Sequence, residues 1–263
     1  MITRFDHAVI AVRSIPEALQ AYQALGFEVA AGGRHPSLGT QNAIVRFGLD
    51  YIELLAVEDP TQARARGPFG AELAAYLEQT SGLIGFVLAS SDLDEQAAGL
   101  KTIGQVAEGP FAMDRERPDG RRLAWRLVIP GGSPWRKPWP FLIEWETPDA
   151  ERTAWDAAGR HPNGTTGVAG IELLVDDMEA ARQLYETAFG LAASNIGAEQ
   201  VDYAIGSFLL QLRKANSDEA LHEISSVGPG PHRLLLRGND ESARLADLDI
   251  GAALGARIRI VAA

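Results

Sequence analysis

The sequence predicts an α+β fold built from repeated strand–helix–strand–strand–strand modules. Three observations point there. A strand-then-helix signature opens the chain and returns twice at near-constant spacing, turn-forming Gly and Pro divide the strand-like runs after each helix, and the composition is that of an ordinary globular protein, with 263 residues of which 46% are hydrophobic and 22% charged. That length suits one large domain or two small ones.

The first module starts at Asp6-His7-Ala8-Val9-Ile10-Ala11-Val12, where Ala8, Ile10 and Val12 share one face of a strand. Ser14 and Glu17 have capping-box spacing, Pro16 sits in the first helical turn, and Ile15, Ala18, Leu19, Tyr22 and Leu25 recur at helical spacing until Gly26 ends the run. Strands follow at 41–47 and 51–56, across a turn containing Gly48. The second module repeats the pattern with a strand at 85–89, a helix stripe of Leu93, Ala97 and Leu100, an end at Ile103-Gly104, and strands at 121–129 and 141–146 around a Gly/Pro/Trp-rich insert, 130–140. In the third, Gly170–Val175 is the strand, Met178, Ala181 and Tyr185 begin the helix, and strands fall at 201–205 and 208–212. A partial fourth places strands at 233–236 and 257–261 around a short helix. The second strand of every module is the weakest signal. The expected domains are residues 1–150, a pair of modules divided at 80, and residues 165–263, a third module completed by the partial fourth.

Charge narrows the function classes. With 24 basic against 35 acidic residues the net charge is −11, which argues against nucleic acid because phosphate binding needs clustered Lys and Arg. No apolar run reaches the roughly 18 residues of a membrane span, and the N-terminus lacks the layout of a signal peptide. The absence of Cys removes thiolate chemistry and disulfides, and the expected location is cytoplasmic. No nucleophile elbow, phosphate loop, dinucleotide fingerprint or zincin motif is present.

What remains is a set of charged residues on strands. Glu53 and Glu144 lie inside apolar last strands, where a carboxylate needs water, a cation or a metal on its side of the sheet. His7, opposite in parity to Ala8 and Ile10, shares a face with Phe5 and Val9, and Glu53 belongs on that face if the first and last strands of the module are neighbours. One imidazole and two carboxylates suit Fe, Mn, Ni, Co or Zn with open positions. The alternatives are a buried core histidine and solvated glutamates. His35, Asn42, Arg46, Trp125, Trp139 and Trp145 are candidates to hold a small substrate, and Trp135 and Trp139 lie in an insert suited to act as a lid; core or interface packing is the competing reading of the tryptophans. His161 is a weaker candidate in a Gly-containing loop.

The motifs Asp6-His7-Ala8-Val9, Gly33-Arg34-His35-Pro36, Gly39-Thr40-Gln41-Asn42, Tyr51-Ile52-Glu53-Leu54, Arg117-Pro118-Asp119-Gly120, Phe141-Leu142-Ile143-Glu144-Trp145 and His161-Pro162-Asn163-Gly164 resemble the vicinal oxygen chelate superfamily, in particular its glyoxalase-like group. The resemblance implies that modules pair into curved, cup-shaped mixed sheets, with metal ligands on the first and last strands of each. Carried over, those four places are His7, Glu53, Gly85 and Glu144, so one cannot bind metal. The loss at Gly85 argues against the two-His-one-Glu iron site of extradiol dioxygenases and against the four-ligand site of glyoxalase I. The third module has Gly170 and Gln211 at the matching places, with Glu172 sharing the parity of Gly170 but lacking an imidazole partner, which suggests a degenerate module.

Two functions follow as expectations. One is a metal-dependent lyase or isomerase that chelates a small substrate with adjacent oxygens through His7, Glu53 and Glu144, with Glu144 by preference, or Glu53, moving a proton. The other is a metal-free binding or sequestration protein of the bleomycin-resistance type, its carboxylates pairing with cationic groups of an apolar or aromatic ligand. The expected partners are small molecules and a second copy in a homodimer, with the third module closing either within one chain or across two.

Overall fold

The computed structural model describes residues 1–35, 38–116, 120–239 and 246–262. Pro36 and Arg117-Pro118-Asp119, parts of the motifs above, lie outside them. The fold is α+β, with two mixed, curled sheets. Strand β1 (Ile2–Ala11) leads into helix α1 (Ile15–Ala24), then β2 (Val29–His35), β3 (Thr40–Arg46) and β4 (Tyr51–Val57). Ser14 caps α1 by accepting the Glu17 N–H, and Gly26 ends it at φ +80°, as the sequence requires. Two helices outside the expected module pattern follow, α2 (Pro60–Ala65) and α3 (Pro68–Gln79). The second module is β5 (Gly82–Ser90), α4 (Leu93–Thr102), β6 (Ala107–Glu116), β7 (Arg122–Pro130) and β8 (Phe141–Trp145), closed by α5 (Asp149–Trp155).

These eight strands form one sheet in the order β2-β3-β4-β1-β5-β8-β7-β6, so each module places its first strand beside its last, in parallel. A seven-stranded sheet carries the rest of the chain: β9 (Thr165–Val175), α6 (Met178–Arg182) running into a π-helical turn at Gln183–Ala188, β10 (Ala193–Ile196), β11 (Gln200–Ile205), β12 (Phe208–Lys214), α7 (Asp218–Val227), β13 (Gly230–Gly238), β14 (Ala246–Asp247) and β15 (Ile258–Val261). Its order, β10-β11-β12-β9-β13-β15-β14, repeats in the third module the arrangement of the first. Among the described residues no helix is long and apolar enough to cross a membrane.

By compactness the chain forms two units, each drawing on both sheets. One comprises Met1–Asp6, Gly85–Arg152 and Gly170–His232, the other His7–Ile84, Thr153–Ala169 and Arg233–Ala263. In the first unit α4 packs on the π-turn, and Gly99 lets the backbones meet: a methyl group there would lie 2.3 Å from the Ala188 carbonyl oxygen. In the second unit the buried Tyr22 of α1 donates its hydroxyl to the Ala253 carbonyl at 3.2 Å. Ala8, Ile10, Ala43, Val45, Ile52 and Leu54 are fully buried on one face of the first module, where Ile15, Ala18 and Tyr22 of α1 are buried too. That apolar face fixes which way every other strand residue points.

Candidate functional site

Pairing register decides which residues share the opposite face. β1 and β4 match His7 with Tyr51 and Val9 with Glu53, and β3 and β4 match Ile44 with Glu53 and Arg46 with Tyr51. His7, Tyr51, Glu53, Asn42 and Arg46 therefore lie together on the face away from the apolar layer. His7 stacks on Tyr51 at 4.5 Å between ring centroids, and its Nε2 stands 3.8 Å from Glu53 Oε2. This is too long for a hydrogen bond and leaves the width that a shared ligand atom would bridge.

The surroundings hold these two groups in place. Asn42 Nδ2 donates to Glu53 Oε1, while Asn42 Oδ1 accepts the Gly33 N–H at 2.7 Å. The Gly32-Gly33 step is an irregularity in the β2–β3 pairing, and any side chain at Gly32 would strike Asn42 Oδ1. Arg46 lies over the Tyr51 ring at 5.0 Å and pairs with the buried Asp156 at 3.4 Å. Asn42 and Arg46, expected to hold substrate, are thus engaged by Glu53 and Asp156. His35 meets the Thr40 hydroxyl at 3.0 Å at the turn end of the β2–β3 hairpin. Tyr51, Asp156 and the Gly32-Gly33 irregularity escaped the sequence reading. Two of them left a signal there: Tyr51 shares the parity of Glu53, and a Gly pair inside a strand marks a bulge. Asp156, 110 positions from Arg46, left none.

The second module is built differently. Adding 78 to Val9 gives Val87, and β5 matches Val87 with Phe141, so Phe141 stands where the first module has Glu53. Gly85 stands where it has His7, and the Trp135 ring covers the spot: a methyl group on Gly85 would lie 3.1 Å from it. Trp135 is only 5% exposed and packs on Phe141 at 5.0 Å, so the indole of the insert lies inside the fold over Gly85 and Phe141. Glu144, one position beyond Ile143, falls on the other face with Leu142. There it accepts hydrogen bonds from Arg126 and, at 3.4 Å, from the N–H of Leu93 at the start of α4. A carboxylate at a helix N-terminus with an Arg partner is electrostatically satisfied where it is.

The remaining aromatic candidates are similarly committed. Trp125 and Trp145 face each other across β7 and β8 at 5.3 Å, and the Trp145 indole donates to the buried Asp6 at 2.8 Å beneath the Arg152 guanidinium, 3.6 Å from its ring. Trp139 packs against Gly131. His161 accepts the Glu28 N–H at Nδ1 and meets the Arg46 carbonyl with Nε2, which makes it neutral with its proton on Nε2. Burial holds its pKa below the ordinary value, although the Arg46 carbonyl and Glu28 act the other way. In the third module Glu172 pairs with Arg213 at 2.9 Å, and Asp202 accepts from Gln200, Gln211 and Asn195, so that polar face is closed on itself.

Four-stranded modules that place first and last strands side by side, in parallel, define a vicinal oxygen chelate fold. The chain belongs to the glyoxalase-like domain family, which matches residues 5–189. A crystal structure of a hypothetical protein from Staphylococcus aureus superposes over 98% of this chain and 99% of that one, with a TM-score of 0.75 and 16% identity. A mutant of 4-hydroxymandelate synthase from Streptomyces coelicolor matches over 91% of this chain and 72% of that one, with a TM-score of 0.58 and 16% identity. At such identities the likeness is one of fold. No curated protein matches the sequence.

The fold family includes metal-dependent enzymes, so the donor set matters. Among the described residues no group of three or more His, Asp or Glu is placed to hold a metal ion. His7 and Glu53 offer one nitrogen and one carboxylate, whereas Gly85 and Phe141 at the matching places of the second module offer no donor. These residues do not fit the family's metal centre.

Proposed function

We propose that this glyoxalase-like chain binds a small molecule through the first-module face, with His7 and Glu53 as its polar contacts and without a protein-held metal. The observation that carries this reading is the replacement of the second module's donors by Gly85, Phe141 and the Trp135 ring. Glu53 Oε1 is occupied by Asn42, which leaves Oε2, 3.8 Å from His7 Nε2, to receive a ligand. A ligand hydroxyl or ammonium group would donate to Oε2. A hydroxyl would also meet His7 Nε2, and the pair could pass a proton between ligand positions. This is the sequestration reading narrowed to one carboxylate, since Glu144 is engaged by Arg126.

The lyase or isomerase reading, with Fe, Mn, Ni, Co or Zn chelating adjacent oxygens of a substrate, is favoured by one observation: an imidazole nitrogen and a carboxylate oxygen 3.8 Å apart on one face. The two readings separate on elemental analysis after loading with each ion and gel filtration, run beside thermal-shift screening of diols, hydroxy acids, amines and 1,2-dicarbonyls. The binding reading expects no retained stoichiometric metal, and a hit whose affinity falls about tenfold in Glu53→Gln, the loss of one charge-assisted hydrogen bond. One equivalent of metal, lost on His7→Ala, would overturn it in favour of the enzyme.

A further inference from the structure

The 131–140 insert is tied down at several points within its own compact unit. Arg136 is nearly buried and holds a backbone φ of +52°, a left-handed conformation that a side chain-bearing residue seldom adopts. Its guanidinium donates to the Glu223 carboxylate at 3.1 Å, to the Gly228 carbonyl at 3.1 Å and to the Pro231 carbonyl. Glu223 is in turn held by His232 Nδ1 at 2.8 Å. Gly230 accepts the close approach of this loop, since a methyl group there would lie 2.8 Å from the Arg136 carbonyl carbon. Tyr185, in the π-helical turn, donates its hydroxyl to the Pro138 carbonyl at 2.9 Å. Burial alone would raise the Glu223 carboxyl, but His232 and Arg136 outweigh it and keep it below its ordinary range, so the carboxylate stays charged.

We propose that residues 131–140 form a latched, autoinhibitory strap: the Arg136–Glu223–His232 ionic latch holds Trp135 as a plug over Gly85 and Phe141, and ligands reach that face of the second module when the latch opens. Two features make this a device for release. The residue that carries the latch sits in strained backbone, so opening relieves strain. The plug is a single indole laid over a glycine, so its removal uncovers a flat apolar surface beside Phe141 without moving a strand. The proposal is independent of the His7–Glu53 reading, which concerns the first module.

The test uses full-length protein, hydrogen-exchange mass spectrometry and the apolar probe 8-anilinonaphthalene-1-sulfonate. Glu223→Gln is expected to speed exchange across 131–140 by about tenfold while α1 and β1–β4 stay protected, and to raise probe binding. Trp135→Ala is expected to raise probe binding as well, and the double variant to bind no more probe than Trp135→Ala alone, because an absent plug needs no latch. His232→Gln, the milder change, is expected to shift exchange in the same direction by a smaller factor. Exchange that rises across the whole chain in both latch variants, unchanged exchange at 131–140, or additive probe binding in the double variant would each overturn the strap.

Discussion

At the scale of single residues, position in the register outweighs residue type. His7 and Glu53 meet because β1 and β4 are parallel neighbours, while Glu144, with the same chemistry in a similar strand, is one residue out of step and turns to Arg126 and α4. His161 shows the same principle in a loop. It is a histidine between a donor and an acceptor, packed on Phe47 at 4.6 Å, and it acts as a fastener. Replacing it with Ala leaves the Glu28 N–H without its partner and the Arg46 carbonyl with the Gly159 N–H alone, and is expected to cost about 1–3 kcal/mol in urea unfolding. The pH dependence has a definite sign. Its folded pKa lies below the unfolded value of about 6.5, so the unfolded chain binds the extra proton first. The stabilisation is therefore fully present above about pH 6.5 and is lost as the pH falls through the folded value. Melting curves at pH 7 and 5 should show a larger acid-side drop for the native protein than for His161→Asn.

At the scale of elements, helices were legible where their apolar stripe was regular and their caps stood out. Ser14, Pro16 and Gly26 frame α1 in the sequence as they do in the fold. The helices α2 and α3 fall outside the module pattern, although each starts at a proline, a favoured first-turn residue, at Pro60 and Pro68. In the third module the stripe Met178, Ala181, Tyr185 slips by one residue before Phe189-Gly190, and the structure places a π-helical turn at Gln183–Ala188, which takes up such an extra residue. The contact between that turn and α4 depends on Gly99. Gly99→Ala should gain about 1 kcal/mol of helix propensity yet lower stability overall by about 1–3 kcal/mol, since its Cβ would strike the Ala188 carbonyl. A raised melting temperature in that variant would contradict the close approach.

At the scale of the whole molecule, the sheets and the compact units divide the chain differently. Each unit takes segments from residues 1–169 and from residues 170–263. A chain cut after residue 163, just ahead of the third module, loses the π-turn that covers α4 and the Ala253 carbonyl that receives Tyr22. It is expected to lack a cooperative unfolding transition by circular dichroism and calorimetry. A fragment of residues 1–163 that melts cooperatively near the full chain's temperature would show that those contacts are dispensable.

The sequence by itself determined the modules, because burial on one face imposes a period of two on strands and 3.6 on helices, and turns interrupt both. It also set His7 and Glu53 each on the polar side of its own strand, since parity is a local property of a strand; that the two sides coincide follows from the β1–β4 pairing. Only the tertiary structure decided what stands opposite what. That Phe141 and not Glu144 matches Glu53, that Trp135 fills the space above Gly85, and that Arg46 is spent on Asp156 follow from register and from contacts across scores of residues. Such pairings are set by the collective fit of the core, which no local window of sequence contains.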